Sequence, residues 1–322
     1  MSDVNHAAMS VFFEDLAVRF TDAFNAARPN TLVGRGAAME VPSMGEQMVH
    51  GWLNQIAGVR EWLGDRQVRN IQSDKLTIVN RKFEETREME RTEIEDDKMG
   101  LYAPLAAIIG RNAAQFQDEL ICEALFRGTT DTWADDVAIF SNAGRTYGSN
   151  TIDNYATDEF DEAGTAFNTA VEKQASYLGH DNKPLKVQAS YLLHGPALRV
   201  AVGTVLGGQY KAIADAGTTY VQGDNVNQGL VVPIELPYFV DGYVDSLGTT
   251  HNAKDYWFLL GVAGGIPGVF YQNRVAPEFQ TSRLSDDSDF VFENDKYQYG
   301  TRFRGAGFVG LPHCVYGSFA DA

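Results

Sequence analysis

LTIVNRKFEETREMERTEIEDD, residues 76–97, is the segment from which the architecture of this chain can be inferred. β-Branched and aromatic residues flank Glu84, Glu85 and Thr86, and charges of both signs run throughout, a composition that favours strands. The pattern predicts a β-hairpin over residues 74–98, with two strands of about eight residues and a turn near Glu85. At the usual rise per residue such a hairpin reaches about 25 Å.

This hairpin has little surface of its own to bury. Neither predicted face is apolar enough to pack on its own domain, and a two-stranded hairpin is marginal in isolation. We therefore expect it to lie against something else. The alternative is a charged helix, because several residues also meet at helical i,i+4 steps: Arg87, Glu90, Arg91 and Glu95.

A long amphipathic helix follows the hairpin. Apolar residues recur at helical spacing up to Gly128, and Pro104 is tolerated in the first turn. These apolar residues are Leu101, Leu105, Ile108, Ile109, Phe116, Leu120, Ile121 and Leu125. The pattern predicts a helix over residues 101–128, which spans about 40 Å.

The segment before the hairpin is predicted to be a helix followed by an extended arm. Apolar residues at steps of three and four predict an amphipathic helix over residues 11–27. They are Phe13, Leu16, Phe20 and Phe24. Residues 30–51 are rich in Gly, Met and small residues with no steady period, and Trp52 and Trp62 would anchor this arm.

After the long helix the sequence changes toward a second α/β lobe. Residues 158–178 give another amphipathic helix, and from residue 186 short apolar bursts are cut by Gly and Pro. The apolar run at 256–271 is shorter than the about 20 residues of a membrane span, so it predicts buried strands joined by a turn. Aromatic residues alternate about a turn at 294–296 and predict a closing pair of strands: Phe290, Phe292, Tyr297, Tyr299 and Phe303.

Composition limits the classes of protein that this chain can be. Its 322 residues hold 26 Lys and Arg against 43 Asp and Glu, a net charge of −17, so the average surface repels phosphate and anionic membranes. We therefore expect the protein to enclose any DNA nearby rather than to bind it tightly. The first thirty residues carry Glu14, Asp15 and Asp22, and so lack the uninterrupted apolar run of a secretory signal. Cys122 and Cys314 are predicted to be buried, reduced thiols.

No pattern of residues points to a catalytic, cofactor-binding or metal site. Gly305-Ala-Gly307-Phe-Val-Gly310 formally matches a dinucleotide fingerprint, but too few residues follow it for the helix and strand that this motif needs. The six histidines never fall at metal-ligand pair spacing, and His194 is interpreted as a turn or core residue. The acidic residues at 286–289 lack the glycine and terminal glutamate of an EF-hand loop. We therefore expect no cofactor, no metal and no enzyme activity, although the missing motifs only leave an enzyme without a residue to name.

The order of these elements resembles the Hong Kong 97-type fold of tailed-phage major capsid proteins. Short sequence motifs also resemble those of the major head subunit family of Mu-like phages and prophages. The residues that carry this resemblance are Trp62-Leu-Gly-Asp-Arg66, Asn80 with Phe83-Glu-Glu-Thr86, Ile94-Glu-Asp-Asp-Lys98 with Gly100-Leu-Tyr102 and Pro104, Asp118-Glu-Leu120, and Tyr297-x-Tyr-Gly300 with Arg304.

The resemblance implies an α+β capsid fold with four parts. These are an N-terminal arm at residues 1–73, an extended loop (the β-hairpin) at 74–98, a peripheral domain at 99–184 and 286–322 with its spine helix at 101–128, and an axial domain at 185–285. The extended loop would lie over a neighbouring subunit, the arm would also reach a neighbour, and the axial domain would cluster about the five-fold and six-fold axes.

The resemblance also implies a function in assembly. A major capsid protein of this kind self-assembles through pentamers and hexamers into an icosahedral shell, which encloses double-stranded DNA without sequence-specific binding and without a membrane. Implied partners are scaffold, portal and decoration proteins, and the implied location is the virion, assembled in the host bacterial cytoplasm. Residues expected at inter-subunit contacts are Trp62, Arg66, Phe83, Glu84, Arg87, Glu90, Arg91, Asp96 and Asp97.

Two other functions are alternatives. An encapsulin-like nanocompartment shell has the same fold but encloses an enzyme cargo, and its neighbouring reading frame would encode that cargo. A soluble hydrolase would have a site that one sequence does not reveal. Negative-stain microscopy separates the hydrolase from the others, because only shell proteins form closed particles or capsomer rings.

Overall fold

The computed structural model describes residues 6–53, 73–95, 99–142, 144–215, 219–282 and 289–320. The helices are α1 (His6–Ala27), α2 (Arg91–Glu95), α3 (Met99–Phe126), α4 (Thr165–Ser176), α5 (Arg199–Val202) and α6 (Asp289–Asn294). Short 3-10 turns lie at Arg28–Asn30, Arg127–Thr129, Pro196–Leu198 and Pro312–Cys314, and a π turn lies at Gly203–Gly207.

The strands form two main sheets. They are β1 (Ala38–Pro42), β2 (Gln47–Leu53), β3 (Ser73–Val79), β4 (Arg81–Glu90), β5 (Arg145–Tyr147), β6 (Asn150–Ile152), β7 (Tyr155–Ala156), β8 (Gln188–His194), β9 (Tyr210–Asp215), β10 (Thr219–Asp224), β11 (Val232–Glu235), β12 (Asp241–Val244), β13 (Thr250–Asn252), β14 (Trp257–Ala263), β15 (Ile266–Pro267), β16 (Val269–Thr281), β17 (Lys296–Val309) and β18 (Val315–Ser318). A four-stranded sheet has the order β1-β16-β17-β4, and a six-stranded sheet runs β11-β8-β14-β18-β7 with β15 beside β14. Two-stranded ladders join β2 to β3, β5 to β6, β9 to β10 and β12 to β13.

Helix α3 is the centre of the first lobe and confirms the helix predicted over residues 101–128. Its apolar side packs against α1, where Leu16 and Phe20 share one buried core with Ile109 of α3. Gly110 stands where the two helices meet, because a Cβ at this position would lie 2.3 Å from the carbonyl oxygen of Phe20. The predicted N-terminal helix is therefore confirmed, and it packs on its own chain.

The four-stranded sheet lies against α1 and α3 through alternate residues of its long strand β17. Tyr297 and Phe303 are buried on the helix side of this strand. A Cβ on Gly307 would lie 2.3 Å from the Leu120 carbonyl oxygen of α3, so only glycine allows the strand this close to the helix. The glycine-rich string at 305–310 is therefore part of a packed strand rather than a phosphate-binding loop.

The six-stranded sheet is the core of the second lobe. Residues 257–260 of β14 are fully buried, which confirms the strands predicted within residues 256–271. Gly264 and Gly265 form the turn after β14 at positive φ, a conformation that glycine adopts at no steric cost. Helix α4 packs its Phe167 into the same core and confirms a helix within residues 158–178, although it begins only at Thr165.

The hairpin predicted over residues 74–98 is wrong. Residues 81–90 form one uninterrupted strand through the expected turn at Glu85, and this strand pairs along its whole length with β17. Strand β3 ends at Val79 and pairs with β2, which precedes it in the chain. The hairpin in this region of the chain is therefore β2–β3, and residues 54–72 between its strands lie outside the described residues.

Strand β4 packs against the core through a few apolar side chains, which are hard to recognise among the many charged residues of its sequence. The ring of Phe83 lies 4.7 Å from that of Phe116 and 5.5 Å from that of Phe303, measured between centroids. Met89 is buried between the sheet and the helices. Two apolar side chains six positions apart do not produce a visible alternation, so the sequence pattern missed this face.

Two further predictions are wrong in part, although Tyr297, Tyr299 and Phe303 do lie on a strand, β17, as expected. Phe290 and Phe292 belong to helix α6 rather than to a closing strand, so β17 pairs with β16 and β4 instead. The extended arm predicted over residues 30–51 contains β1, which pairs in parallel with β16 inside the four-stranded sheet. Local composition could not reveal this pairing because the two strands are far apart in the chain.

Candidate assembly surface

The β2–β3 hairpin joins the body of the fold at Asn80, whose side chain is buried. Its Nδ2 atom donates hydrogen bonds to Ser43 Oγ at 2.9 Å and to the carbonyl oxygen of Gly45 at 2.8 Å. Its Oδ1 atom accepts a hydrogen bond from Gln272 Nε2 at 2.8 Å. Because the donor and acceptor sides of this amide are both satisfied within the protein, they hold the hairpin root in one orientation.

The next residue, Arg81, connects the hairpin root to the long helix. Its guanidinium lies 3.0 Å from the carboxylate of Glu123 on α3, and this carboxylate is buried. Glu123 also accepts a hydrogen bond from the backbone N–H of Ser246, and Arg81 donates another to Ser246 Oγ. The hairpin, the helix and the loop between β12 and β13 therefore meet at this group of three residues.

A second acid of α3, one turn earlier, reaches the same β12–β13 ladder. The hydroxyl of Tyr243 donates a hydrogen bond to Glu119 Oε1 at 3.1 Å. Burial raises the pKa of Glu119, and the hydrogen bond from Tyr243 opposes this shift only in part. Asp245 stabilises the loop itself, since its buried carboxylate lies 3.0 Å from His251 Nε2.

A third acid of α3, Asp118, binds the chain just before β1. Its Oδ1 atom accepts a hydrogen bond from the backbone N–H of Leu32 at 2.8 Å. Burial raises the pKa of Asp118 to about 7, although this hydrogen bond and the positive charge of Arg35 act in the opposite direction. The contact between the N-terminal segment and α3 therefore contains a carboxyl group that titrates near neutral pH.

The residues expected at inter-subunit contacts fall into two groups. Trp62, Arg66, Asp96 and Asp97 lie outside the described residues. Phe83 faces the core of its own subunit, whereas Glu84, Arg87 and Glu90 are exposed on β4 and Arg91 begins α2. Among the described strands β4 is an edge strand of its sheet, so these charged side chains lie on or next to a sheet edge. Their contact with another copy stays a prediction.

Sequence reasoning missed the residues that build the hairpin root. Asn80 and Asp118 entered only through the family resemblance, and Arg81 and Glu123 were given no role. A signal for the acids was present, because a carboxylate within the apolar stripe of a helix is rarely buried without a partner. The sequence signal for Asn80 was weaker, because it consisted only of one amide side chain between two segments that resemble strands.

The described part of the chain bears on the predictions for metal ligands, cysteines and His194. Over those ranges, no group of three or more His, Cys, Asp or Glu side chains is placed to hold a metal ion. Cys122 and Cys314 are buried and free, and His194 is a buried core residue, which confirms the predictions made for them. Among the helices described, none is long and apolar enough to cross a membrane.

Comparison with known proteins relates this chain to phage head subunits. Residues 9–186 and 243–321 match the model of the family described as Mu-like prophage major head subunit gpT. The chain is 43% identical over 91 residues to the Mu-like prophage FluMu major head subunit of Haemophilus influenzae, covering 28% of this chain and 30% of that protein. It is 32% identical over 143 residues to the major capsid protein of Escherichia phage Mu, covering 44% of each. The matched segments thus span less than half the length of either relative.

Solved structures share the fold. The procapsid of bacteriophage JBD30 gives a TM-score of 0.56 at 22% identity, covering 98% of this chain and 76% of that one. The mature capsid of bacteriophage PhiM1 gives 0.54 at 14% identity, with 89% and 86% covered, and the virus-like particle from Pyrococcus furiosus gives 0.51 at 8%, with 95% and 99% covered. The α+β, Hong Kong 97-type capsid fold expected from the sequence is therefore confirmed. Because the family model also matches most of its length, this chain belongs to the Mu-like prophage major head subunit family.

Proposed function

We propose that this chain is the shell-forming subunit of a Mu-like phage or prophage head, and that its copies assemble into a closed icosahedral capsid enclosing double-stranded DNA. The observation that carries the proposal is the β2–β3 hairpin, whose strands pair with each other and, in the described ranges, with no other strand. A two-stranded hairpin is marginal alone, and of its described side chains Leu76 packs against the core of its own subunit, so a surface on a neighbouring subunit would stabilise the part beyond Leu76. The family consists of structural head subunits rather than enzymes, which supports the same function.

The hairpin root suits this role. The amide of Asn80 and the ion pair between Arg81 and Glu123 fix the base of the hairpin to the sheet and to α3. A rigidly attached hairpin that contacts a different surface on the next copy makes a heterologous contact, and such contacts close into rings and shells.

We assign the parts of the subunit accordingly. The extended loop is residues 47–79 rather than 74–98, and α3 is the spine helix. The four-stranded sheet with α1 and α3 forms the peripheral domain, and the six-stranded sheet belongs to the axial domain near the five-fold and six-fold axes. Residues 1–46 contribute α1 and β1 to the core of their own subunit in addition to any contact with a neighbour.

Other partners follow from the same function. A closed head of this class needs a portal and a scaffold, and decoration proteins can bind its surface, so we propose all three as partners. The net charge of −17 fits a container in which DNA is enclosed without being tightly bound.

A nanocompartment that encloses an enzyme is the second candidate, because the virus-like particle from Pyrococcus furiosus shares the fold over 99% of its own chain. At 8% identity this likeness concerns the fold alone. The neighbouring genes distinguish the two candidates, since a phage head has portal, protease and scaffold genes and a nanocompartment has a cargo enzyme.

The proposal can be tested by expressing the full chain together with its neighbouring head genes. Sedimentation and negative-stain microscopy should show closed particles or capsomer rings. A protein that stays monomeric at all concentrations and with all of these genes present would contradict the proposed function.

A further inference from the structure

One face of the four-stranded sheet is covered by α1 and α3. On the other face Phe270, Gln272 and Phe308 are buried, but the part formed by residues 82–90 and Arg302 is exposed among the described residues, and we call this part the bare face. The even-numbered side chains of residues 82–90 are all exposed, and β4 directs them to the bare face because successive side chains alternate. The register between β4 and β17 places Arg302 opposite Glu84 and Arg304 opposite Lys82. The bare face is therefore charged, and its charges come from two neighbouring strands.

Three cations on this face lack a partner in the described part of the chain. The side chains of Lys82, Arg302 and Arg304 make no ion pair and no hydrogen bond with any described residue. Lys82 and Arg304 are cross-strand partners, and like charges placed directly opposite each other are destabilising. The Nε atom of Arg304 is also buried without a hydrogen-bond acceptor. An anion bound here would relieve this arrangement.

The three cations line a groove of ≈ 420 Å³, which Phe83, Glu84 and Val275 help to enclose. The depression coincides with irregular pairing of β16, whose register shifts on either side of Val275. A second groove of ≈ 320 Å³ shares Glu84 and Arg302 with the first and is lined otherwise mostly by neutral polar residues of β4, β16 and β17. The two grooves form one trough along the sheet, a shape that suits an extended polypeptide.

Acids on the same face compensate part of this positive charge, since Glu84 and Glu278 are the cross-strand partners of Arg302 on its two neighbouring strands. Glu88 accepts a hydrogen bond from Gln298 Nε2 at 3.0 Å and lies 3.6 Å from the amine of Lys296. Glu84 accepts a hydrogen bond from the hydroxyl of Thr86. Lys82 and Arg304 have no acid opposite them in the described strands, so the uncompensated positive charge lies at their end of the trough.

We propose that this trough binds an extended, carboxylate-bearing segment of a second copy of this chain, whose acid is held by Lys82, Arg302 and Arg304. The proposal rests on the shell function, because a shell brings copies together at fixed positions. Arginine binds carboxylates through short, directional hydrogen bonds, and each copy has a surplus of acids, 43 against 26 basic residues.

A protein carboxylate fits the trough better than the phosphates of DNA. Glu84 lies within the lining and would repel a phosphate next to the one that the cations bind. A polypeptide presents one acid to the cations and neutral groups to the rest of the trough.

The first test compares two variants in the full chain expressed with its head genes. The double variant Arg302→Gln, Arg304→Gln removes two of the unpaired cations, and Lys296→Gln is the matched control, since it removes a cation that already has a partner. We expect the double variant to lower the yield of closed particles by about tenfold or more, and the control to change it much less. The Tm of unassembled subunits should be unchanged in the double variant.

The second test uses wild-type particles assembled from isotopically heavy and light subunits in equal amounts. Carbodiimide treatment joins the amine of Lys82 to a carboxylate in contact with it, forming an amide with loss of water. The proposal predicts crosslinked peptides that pair heavy with light chains, which arise only between copies.

The outcomes separate this proposal from the shell function. Closed wild-type particles together with undiminished particles of the double variant would overturn the trough contact and leave the shell function standing. Crosslinks confined to chains of one isotope would show that an acid of the same copy occupies the trough. Normal particles of the double variant that bind duplex DNA more weakly would identify phosphate as the occupant. Absence of wild-type particles would overturn both proposals.

Discussion

The buried carboxylate of Glu123 on α3 lies 3.0 Å from the guanidinium of Arg81, the first residue of β4 after the hairpin root. The same carboxylate accepts the backbone N–H of Ser246, so one acid holds together the base of the hairpin, the long helix and the β12–β13 loop. The direction in which the hairpin leaves the subunit therefore depends on this ion pair as well as on the hydrogen bonds of Asn80.

Removing Arg81 alone should lower the stability of the subunit more than removing both Arg81 and Glu123. Arg81→Met leaves the charge of Glu123 buried without its partner, and the free energy of unfolding should fall by about 2–4 kcal/mol. The double variant Arg81→Met, Glu123→Met removes both charges and should recover most of that loss. Urea unfolding of the unassembled subunit measures both. An equal loss in the single and double variants would contradict the role of the ion pair.

Phe83 should stabilise the isolated subunit rather than only the contact between subunits. Its ring packs on Phe116 and Phe303, so Phe83→Ala should lower the free energy of unfolding by about 2–4 kcal/mol. Val79→Ala is the control, because Val79 is 49% exposed on β3 and should change stability by less than about 0.5 kcal/mol. If unassembled Phe83→Ala subunits melt at the wild-type temperature, Phe83 is not part of the subunit core.

Asp118 predicts a pH dependence of subunit stability. Its folded pKa of about 7 exceeds the ordinary aspartate value of about 3.9, so between these values the folded state keeps a proton that the unfolded chain has lost. The contribution of this group to stability therefore falls as the pH rises through that window and reaches its lowest value above pH of about 7. The free energy of unfolding of Asp118→Asn, measured relative to that of wild type, should therefore rise by roughly 2–4 kcal/mol as the pH is raised from about 4 to about 8.

His313 acts in the opposite direction, which is why the variant must be compared with wild type at each pH. Burial lowers the pKa of His313 to about 4, so acidification from pH of about 6.5 protonates the unfolded chain first and lowers stability. The contribution of His313 is the same in wild type and in Asp118→Asn, so it cancels when their free energies of unfolding are subtracted. Denaturant unfolding at several pH values supplies the data, and a difference that does not change with pH would contradict the raised pKa of Asp118.

Deletion of the hairpin should separate folding from assembly. Gln47 and Val79 are cross-strand partners, so residues 48–78 can be replaced by the two-residue turn Asn-Gly without moving Asn80. We expect folded subunits that lose only the packing of Leu76 against the core, and no closed particles, as judged by thermal unfolding and negative-stain microscopy. Normal particles from this deletion would exclude the hairpin from the shell contact.

The sequence predicted the parts of the fold that local periodicity determines. The apolar residues of α1 and α3 repeat at helical spacing, and the buried run of β14 is continuous, so their existence follows from the pattern alone. The N-terminal boundary of α3 was also close, at Met99 rather than residue 101.

The parts that depend on distant pairing were not predictable in this way. Glu84 lies beside Arg302 only because β4 pairs with a strand near the other end of the chain, and that pairing turned an expected hairpin turn into a continuous strand. The cluster of Lys82 and Arg304 has the same origin. The buried acids Asp118 and Glu123 needed the positions of Leu32 and Arg81 before their roles could be recognised.

Cryo-electron microscopy of the assembled particle is the most direct test of the shell function. It should show a closed shell in which the β2–β3 hairpin of each subunit lies on the adjacent subunit, with its root at Asn80 and Arg81 as described above. A particle in which each hairpin folds back onto its own subunit, or a protein that forms no closed particle at all, would contradict the assembly function proposed for this chain.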